Sequence, residues 1–277
     1  MRTKSILQFV ISGEDKHHLD DAVNFAEANG LHLRIVVPGI VPEDPIALET
    51  TRGLRNWSER RTKVLHEMEQ LAETMEQTLQ NRGVAGDVSH HLCEERDLAT
   101  LAGLHARYVD LALWRKPAAP SKRHQQLLLG LIFQSGRPLM VTPDGRQPTI
   151  EPKRVIIAWN GRLEAVRAVH ASLDLLSAAD QVSVAMIDPS FAQWGNGQEP
   201  GFDIASLLAR HTIPTDVIRM ESKGREPGIL LGEKAQEFGA DLIIMGAYGH
   251  SRLREWVLGG TSRHMLSETA VPIMMMH

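Results

Sequence analysis

GADLIIMGAY, residues 239–248, and YVDLALWRKP, residues 108–117, share one plan: a helix ends, an aspartate follows, and an apolar strand begins. Asp241 in the first stretch matches Asp110 in the second. Working outward, SGRPLMV (135–141) matches TAVPIMM (269–275), each an apolar strand with a proline near its start, where no ladder N–H is yet required. Further upstream, SILQFVISG (5–13) matches RVIIAWNG (154–161), each a buried type of strand that ends at a glycine. The chain is therefore written twice, and a repeat of this length is one structural unit used two times.

Within each copy, apolar runs of strand length alternate with helical patterns, which predicts an α/β fold with a parallel sheet covered on both faces. The expected domains are 1–145 and 151–277, joined near TPDGRQPTIEPK (142–153), whose prolines and polar residues suit a linker. In the second copy the pattern predicts strands near 154–159, 181–187, 215–220, 240–245 and 271–276, with helices near 163–178, 202–211, 226–238 and 261–268. In the first copy the clearest helix carries Leu54, Trp57, Val64, Met68, Leu71, Met75 and Leu79 at steps near 3.6, a stripe expected to face the sheet.

Composition narrows the partners. A net charge of -4 gives no general attraction to nucleic acid or anionic membrane. The N-terminal apolar run is broken by Glu14 and Asp15, too early for a signal segment, and no stretch reaches the length of a membrane span. Cys93 is the single cysteine, which excludes an intrachain disulfide and fits a reducing compartment. A cytoplasmic location is expected.

The chemistry concentrates in GAYGHSRLREWVLGGT (246–261), which directly follows the fourth strand of the second copy. Ligands of open parallel sheets sit beyond the carboxyl ends of strands where the winding reverses. Backbone N–H groups can converge on phosphate oxygens only where side chains do not block them, and Gly246, Gly249, Gly259 and Gly260 meet that need. Thr261 and Ser262 then open a helix whose free N–H groups favour an anion. On spacing alone the stretch reads equally as a phosphate loop and as a turn feeding a helix. Neither GxxxxGK[ST] nor a GxGxxG after a first strand is present.

The G-x2-G-x9-G spacing of Gly246, Gly249 and Gly259 after DLIIMG, the doubled unit and the closing VPIMM strand together resemble the universal stress protein family in its tandem bacterial form. The resemblance covers nearly the whole chain and implies two doubly wound domains, each with a five-stranded parallel sheet in the order 3-2-1-4-5, paired through their last strands. It also implies an ATP or AMP site. Carried over by position, adenine would lie near Asn160 and Met186, with ribose and phosphates against Met245, Gly246, Gly249, Gly259, Gly260 and Thr261. Two residues depart from the family pattern: Asn160 stands where an aspartate is usual, and Gly260 where a Ser or Thr hydroxyl is usual. The first copy departs further, with Arg115 in place of Gly246 and the glycines gone, so no nucleotide site is expected there.

His250, Arg252, Arg254, Arg263 and His264 surround the loop and could neutralise phosphate charge. No HExxH or Cys/His ligand spacing appears among the histidines, and no metal site is expected beyond Mg²⁺ carried by ATP. No GxSxG is present, and no catalytic residues are expected, although Asp188 and Glu221 lie near strand ends where a weak ATPase would need acids. The glycine-rich stretch SFAQWGNGQEPGFD (190–203), with Trp194 and Phe202, reads as a lid or as a surface excursion. The expected function is a nucleotide-responsive regulatory or binding protein, not an enzyme, with an unidentified protein partner. The rival readings are a scaffold without nucleotide and a weak ATPase. The apolar last strands are expected to pair between the halves or between chains.

Overall fold

The computed structural model describes residues 3–11, 16–41, 51–117, 119–189, 199, 201–248 and 260–277. Residues Thr3–Arg137 form one compact unit and Pro138–His277 another.

In the first unit the order is β1 (Ser5–Phe9), α1 (Lys16–Asn29), β2 (His32–Val41), α2 (Thr51–Arg82), β3 (Gly86–Glu94), a 3-10 turn (Glu95–Asp97), α3 (Leu98–Ala106), β4 (Leu111–Arg115) and α4 (Lys122–Phe133). The strands lie side by side as β3-β2-β1-β4. β1 is parallel to both neighbours, and β2 to β3. Ile6, Leu7, Leu33 and Ile35 are almost wholly buried, as expected for strands covered on both faces. The stripe on α2 is buried at Met68, Ala72, Met75 and Leu79, against β2 and β3. Its first turns differ from expectation: Leu54 is 50% exposed. Helical period alone marks an apolar face; it does not reveal how far the covering surface extends.

The second unit opens with β5 (Leu139–Thr142), then β6 (Arg154–Ala158), α5 (Leu163–Ala171), α6 (Leu173–Ala178), β7 (Gln181–Ile187), α7 (Phe202–Arg210), β8 (Thr215–Met220), α8 (Pro227–Phe238), β9 (Leu242–Gly246), α9 (Gly260–Glu268) and β10 (Ile273–Met276). The strands run β5-β10-β9-β6-β7-β8, so the second copy has the doubly wound 3-2-1-4-5 order. β5, the last strand of the first copy by sequence, is part of this unit, where it pairs antiparallel with β10. The register sets Ile273 against Val141, Met274 against Met140 and Met275 against Leu139.

Several boundaries differ from the sequence reading by one or two residues, β9 among them, and two differences have a local physical reason. The single helix expected over 163–178 is two: at the buried Ser172 the backbone leaves helical geometry (φ −106°, ψ 3°) and its N–H bonds to the Val169 carbonyl (3.0 Å), while its hydroxyl takes the Ala168 carbonyl so released (2.7 Å). β10 starts at Ile273, after Pro272, which has no N–H to give to a ladder.

The repeated aspartate has the same work in both copies. Asp110 Oδ2 accepts from the Lys4 N–H (2.9 Å), the Ser5 N–H (3.0 Å) and the Ser5 hydroxyl (3.0 Å). Asp241 accepts from the Lys153 N–H (2.8 Å) and the Arg154 N–H (3.0 Å). Each carboxylate thus ties the start of a fourth strand to the start of the first strand beside it. Partial burial opposes the charge on Asp110, but these donors, with Arg137 nearby, hold its carboxyl below the usual carboxylate range. Because the folded value is depressed, the stabilisation is present above the unfolded value and is lost as pH falls through the folded one. We predict that Asp110→Ala and Asp241→Ala each lower the unfolding free energy by about 1–3 kcal/mol at pH 7 in denaturant titrations. The gap between wild type and Asp110→Asn should narrow as the pH is taken well into the acid range.

Candidate functional site

The winding of the second unit reverses at β6. From it the chain passes through α5 and α6 to β7 and β8 on one side, then returns to β9 and β10 on the other. Ala158, the last residue of β6, is level with Ala185 on β7 and Met245 on β9. A crevice at the carboxyl ends of β6 and β9 is the binding position that this topology favours.

The register brings the expected residues to that edge. Asn160 lies two residues beyond β6 and is exposed; its Oδ1 accepts from the Arg162 N–H (3.1 Å), which shapes the turn into α5. Met186, near the end of β7, is buried. Above it sits Gly201, where the first turn of α7 comes so close that a Cβ would lie 2.7 Å from Val217 Cγ1 and 3.1 Å from Met186 Sδ. An ion pair between Glu199 and Arg219 (2.8 Å) joins the same corner to β8. Met245 is buried, and Gly246 ends β9. Gly260 is exposed and Thr261 half-buried at the start of α9. Gly249 and Gly259 lie outside the described residues, with His250, Arg252, Arg254 and Trp194.

A set of hydrogen bonds fixes how the chain leaves β9. The Ala247 N–H donates to the Met276 carbonyl (2.8 Å), and His277 Nδ1 donates to the Ala247 carbonyl (2.9 Å). Tyr248 takes a left-handed φ of 54°, unusual for a residue with a side chain, and its N–H donates to the buried Ser262 hydroxyl (3.2 Å). Burial pushes the Tyr248 phenol up, so it stays protonated. Ser262 therefore links the turn after β9 to the first turn of α9, a role its place two residues after Gly260 does not reveal. Of the nearby cations, Arg263 is exposed, whereas the His264 ring packs on Gly228 of α8.

Gly246 has a packing role of its own. A Cβ there would lie 2.6 Å from the Ala165 backbone nitrogen and 2.8 Å from the Glu164 carbonyl carbon, so α5 approaches β9 only because this residue is glycine. Gly260 differs: a Cβ would meet the flexible Glu226 carboxylate at 2.9 Å. Asp188, at the end of β7, accepts from the Ser222 hydroxyl and N–H (2.8 Å to the latter), and these bonds hold its carboxyl below the usual range.

In the first unit, the residue standing where Gly246 stands is Arg115, whose largely buried guanidinium is ion-paired with Asp21 of α1. A groove of about 480 Å³ lies between the end of β2, the 3-10 turn and α4. Its cations already have carboxylate partners: Lys122 with Glu95 (3.0 Å) and Arg96 with Glu94 (2.6 Å).

Residues 158–277 match the model of the universal stress protein family. This part of the chain belongs to that family. The match begins at Ala158, the last residue of β6, and runs through α5 to β10. A 34-residue stretch is 47% identical to the universal stress protein Slr1230 of Synechocystis, covering 12% of this chain and 12% of that protein. Over the whole length, the fold is similar to a universal stress protein of Archaeoglobus fulgidus, with a TM-score of 0.62, 16% identity and coverage of 98% of this chain and 95% of the other. A universal stress protein from Pseudomonas aeruginosa is similar at a TM-score of 0.58 and 14% identity, over 99% of this chain and 93% of the other. At these identities the likeness is one of fold. Among the described residues no helix is long and apolar enough to cross a membrane, and no three His, Cys, Asp or Glu side chains are grouped to hold a metal ion.

The two glycines should respond differently to substitution. Without any nucleotide, Gly246→Ala should destabilise the universal stress protein domain by about 1–3 kcal/mol, because backbone must move. Gly260→Ala should be neutral or stabilising by up to about 1 kcal/mol, because Glu226 can swing aside and alanine favours a helix. Thermal and denaturant unfolding of the two variants would measure the difference.

Proposed function

We propose that the universal stress protein domain binds an adenine nucleotide, ATP or AMP, with Mg²⁺ accompanying ATP, and that the chain acts as a nucleotide-responsive regulatory protein in a stress response. The observation that carries this reading is convergence: Asn160, Met186, Met245 and Gly246 meet at the carboxyl ends of three adjacent strands, at the topological reversal. The start of α9 is joined to the same turn through Ser262 and Tyr248. There the Gly260 and Thr261 N–H groups would meet phosphate oxygens, joined by those of Gly249 and Gly259. Asn160 keeps an acceptor for ribose or base and adds an amide donor, without the charge of an aspartate. The lining offers sulfur and aliphatic surface for a purine and backbone donors for phosphate, and the reading includes no catalytic step. The first unit, closed by the Arg115–Asp21 pair, takes no nucleotide in this reading.

Nucleotide bound between the turn after β9 and the start of α9 favours one of two states, so that a protein partner in the cytoplasm distinguishes the liganded from the free state by the ligand's differential affinity. A second reading, a scaffold without nucleotide, draws on the packing of Gly246 against α5, which would keep a glycine there with or without a ligand.

Mass spectrometry of small molecules released from the purified protein, followed by melting titrations with ATP and AMP, decides between the readings. At nucleotide concentrations about a hundred times Kd the domain should gain about 2.7 kcal/mol, read as a rise of several degrees in Tm. A bulky residue at Gly249 should abolish that rise while leaving the melting of the free protein in place; equal affinity in the variant overturns the placement. A protein that carries no nucleotide and shows no shift with either one supports the scaffold.

A further inference from the structure

The least saturated polar cluster in the described residues lies in the first unit, under α3. β3 is the outermost strand there, and its residues alternate between two faces. Gly86 and Leu92 share the face toward α2: a Cβ on Gly86 would lie 3.0 Å from Leu79 Cδ1, and one on Gly39 of β2 would lie 3.0 Å from Leu92 Cδ2 and 2.7 Å from Met68 Sδ. Asp87, Ser89, His91 and Cys93 therefore share the opposite face, where His105 of α3, a helix packed on α4 and β1, reaches the edge strand. The His91 and His105 rings meet there with centroids 4.7 Å apart and planes tilted by 55°, and Phe9 of β1 touches His105 edge-on at 6.4 Å.

Nothing in this cluster is arranged to receive a positive charge. Ser89 Oγ and His91 Nε2 are shielded from solvent and find no hydrogen-bond partner among the described residues. The carboxylate acting on His105, Asp87, is already engaged by Arg34 (3.0 Å) and His32 (3.5 Å) of β2. Arg34 itself adds positive charge near His105, and His90 does the same to His91 from across the strand. Cys93, one step further along the same face, has its thiol pushed up to about 11 by burial and Asp97, so it carries no charge at neutral or acid pH.

We propose that the His91–His105 pair is an acid-sensitive latch between the edge strand β3 and α3, closed while both rings are neutral and opened when both are protonated. Protonation would place two like charges at ring-contact distance, with a ring nitrogen that has no acceptor, and because α3 is anchored on α4 and β1 the available relief is for the edge strand β3 to part from His105 and admit water. Burial first, and then the neighbouring positive groups, hold both histidines below their ordinary value. The closed state is therefore fully favoured above about pH 6.5 and weakens as pH falls through that value toward the folded ones. This latch is independent of the nucleotide reading and belongs to the other unit.

Hydrogen–deuterium exchange of the full chain at pH 7.5 and pH 5.0, corrected for the intrinsic pH dependence of exchange, tests it. Peptides covering 86–94 and 98–106 should lose protection by roughly tenfold at the lower pH relative to peptides from β6. The double variant His91→Phe, His105→Phe, which keeps two aromatic rings and removes both protonation sites, should show no such loss of protection between the two pH values. Equal loss in variant and wild type, or no loss in wild type, overturns the latch. If the variant does not fold, NMR titration of the wild-type imidazoles decides: both rings should titrate below the ordinary value together with the loss of protection. Ordinary titration, or titration without that loss, refutes it.

Discussion

The register of each first strand against its fourth is the constraint on which the rest of the structure hangs. Asp110 and Asp241 fix it by taking the backbone N–H groups at the start of β1 and β6, groups that no neighbouring strand could satisfy there. The crevice at the other end of β6 and β9 depends on this remote clamp. A one-residue slip of β9 would carry Met245 and Gly246 away from Ala158 and exchange the side chains packed on the two faces of this doubly buried strand. The same aspartate appears in both copies because both have a central strand to align; it says nothing about ligand binding.

Architecture was legible in the sequence because it rests on local periodicity and on a repeat. Strands β7 and β8 run where the apolar runs predicted, and the doubled pattern marked two copies of a covered parallel sheet, whose doubly wound order the family resemblance implied. What could not be read depends on contacts across space. The break between α5 and α6 falls at Ser172, whose hydroxyl is buried against Met274 Sδ (3.5 Å) of β10, a neighbour that nothing in the flanking sequence announces. That the first turns of α2 carry an apolar stripe with little to cover it is a question of where the sheet ends.

The site was legible in part. Glycines after a strand and before a helix signalled a crevice, and the strand register brings Asn160, Met186, Met245 and Gly246 to one edge. The sequence could not separate two reasons for a glycine. Gly246 admits the backbone of α5, a requirement invisible in a string of letters, whereas Gly260 faces a movable carboxylate. Ser262 and Tyr248 escaped as a pair because they are joined across the turn by a bond between residues fourteen apart. The Asp21–Arg115 pair is likewise a long-range fact, although an arginine in place of a glycine at a strand end was its visible trace.

The antiparallel pairing of β5 with β10 has a consequence for how the chain is made. A ribosome delivers β5 early and its partner late, since residues 273–276 are synthesised after every other strand of the fold. At ordinary elongation rates, Leu139, Met140 and Val141 wait on the order of ten seconds for the edge that completes them. Throughout that interval the nascent chain presents an apolar strand whose hydrogen-bonding rim is open on the β10 side. Final closure of the second unit is thus a last-arriving event, timed by translation as well as by folding.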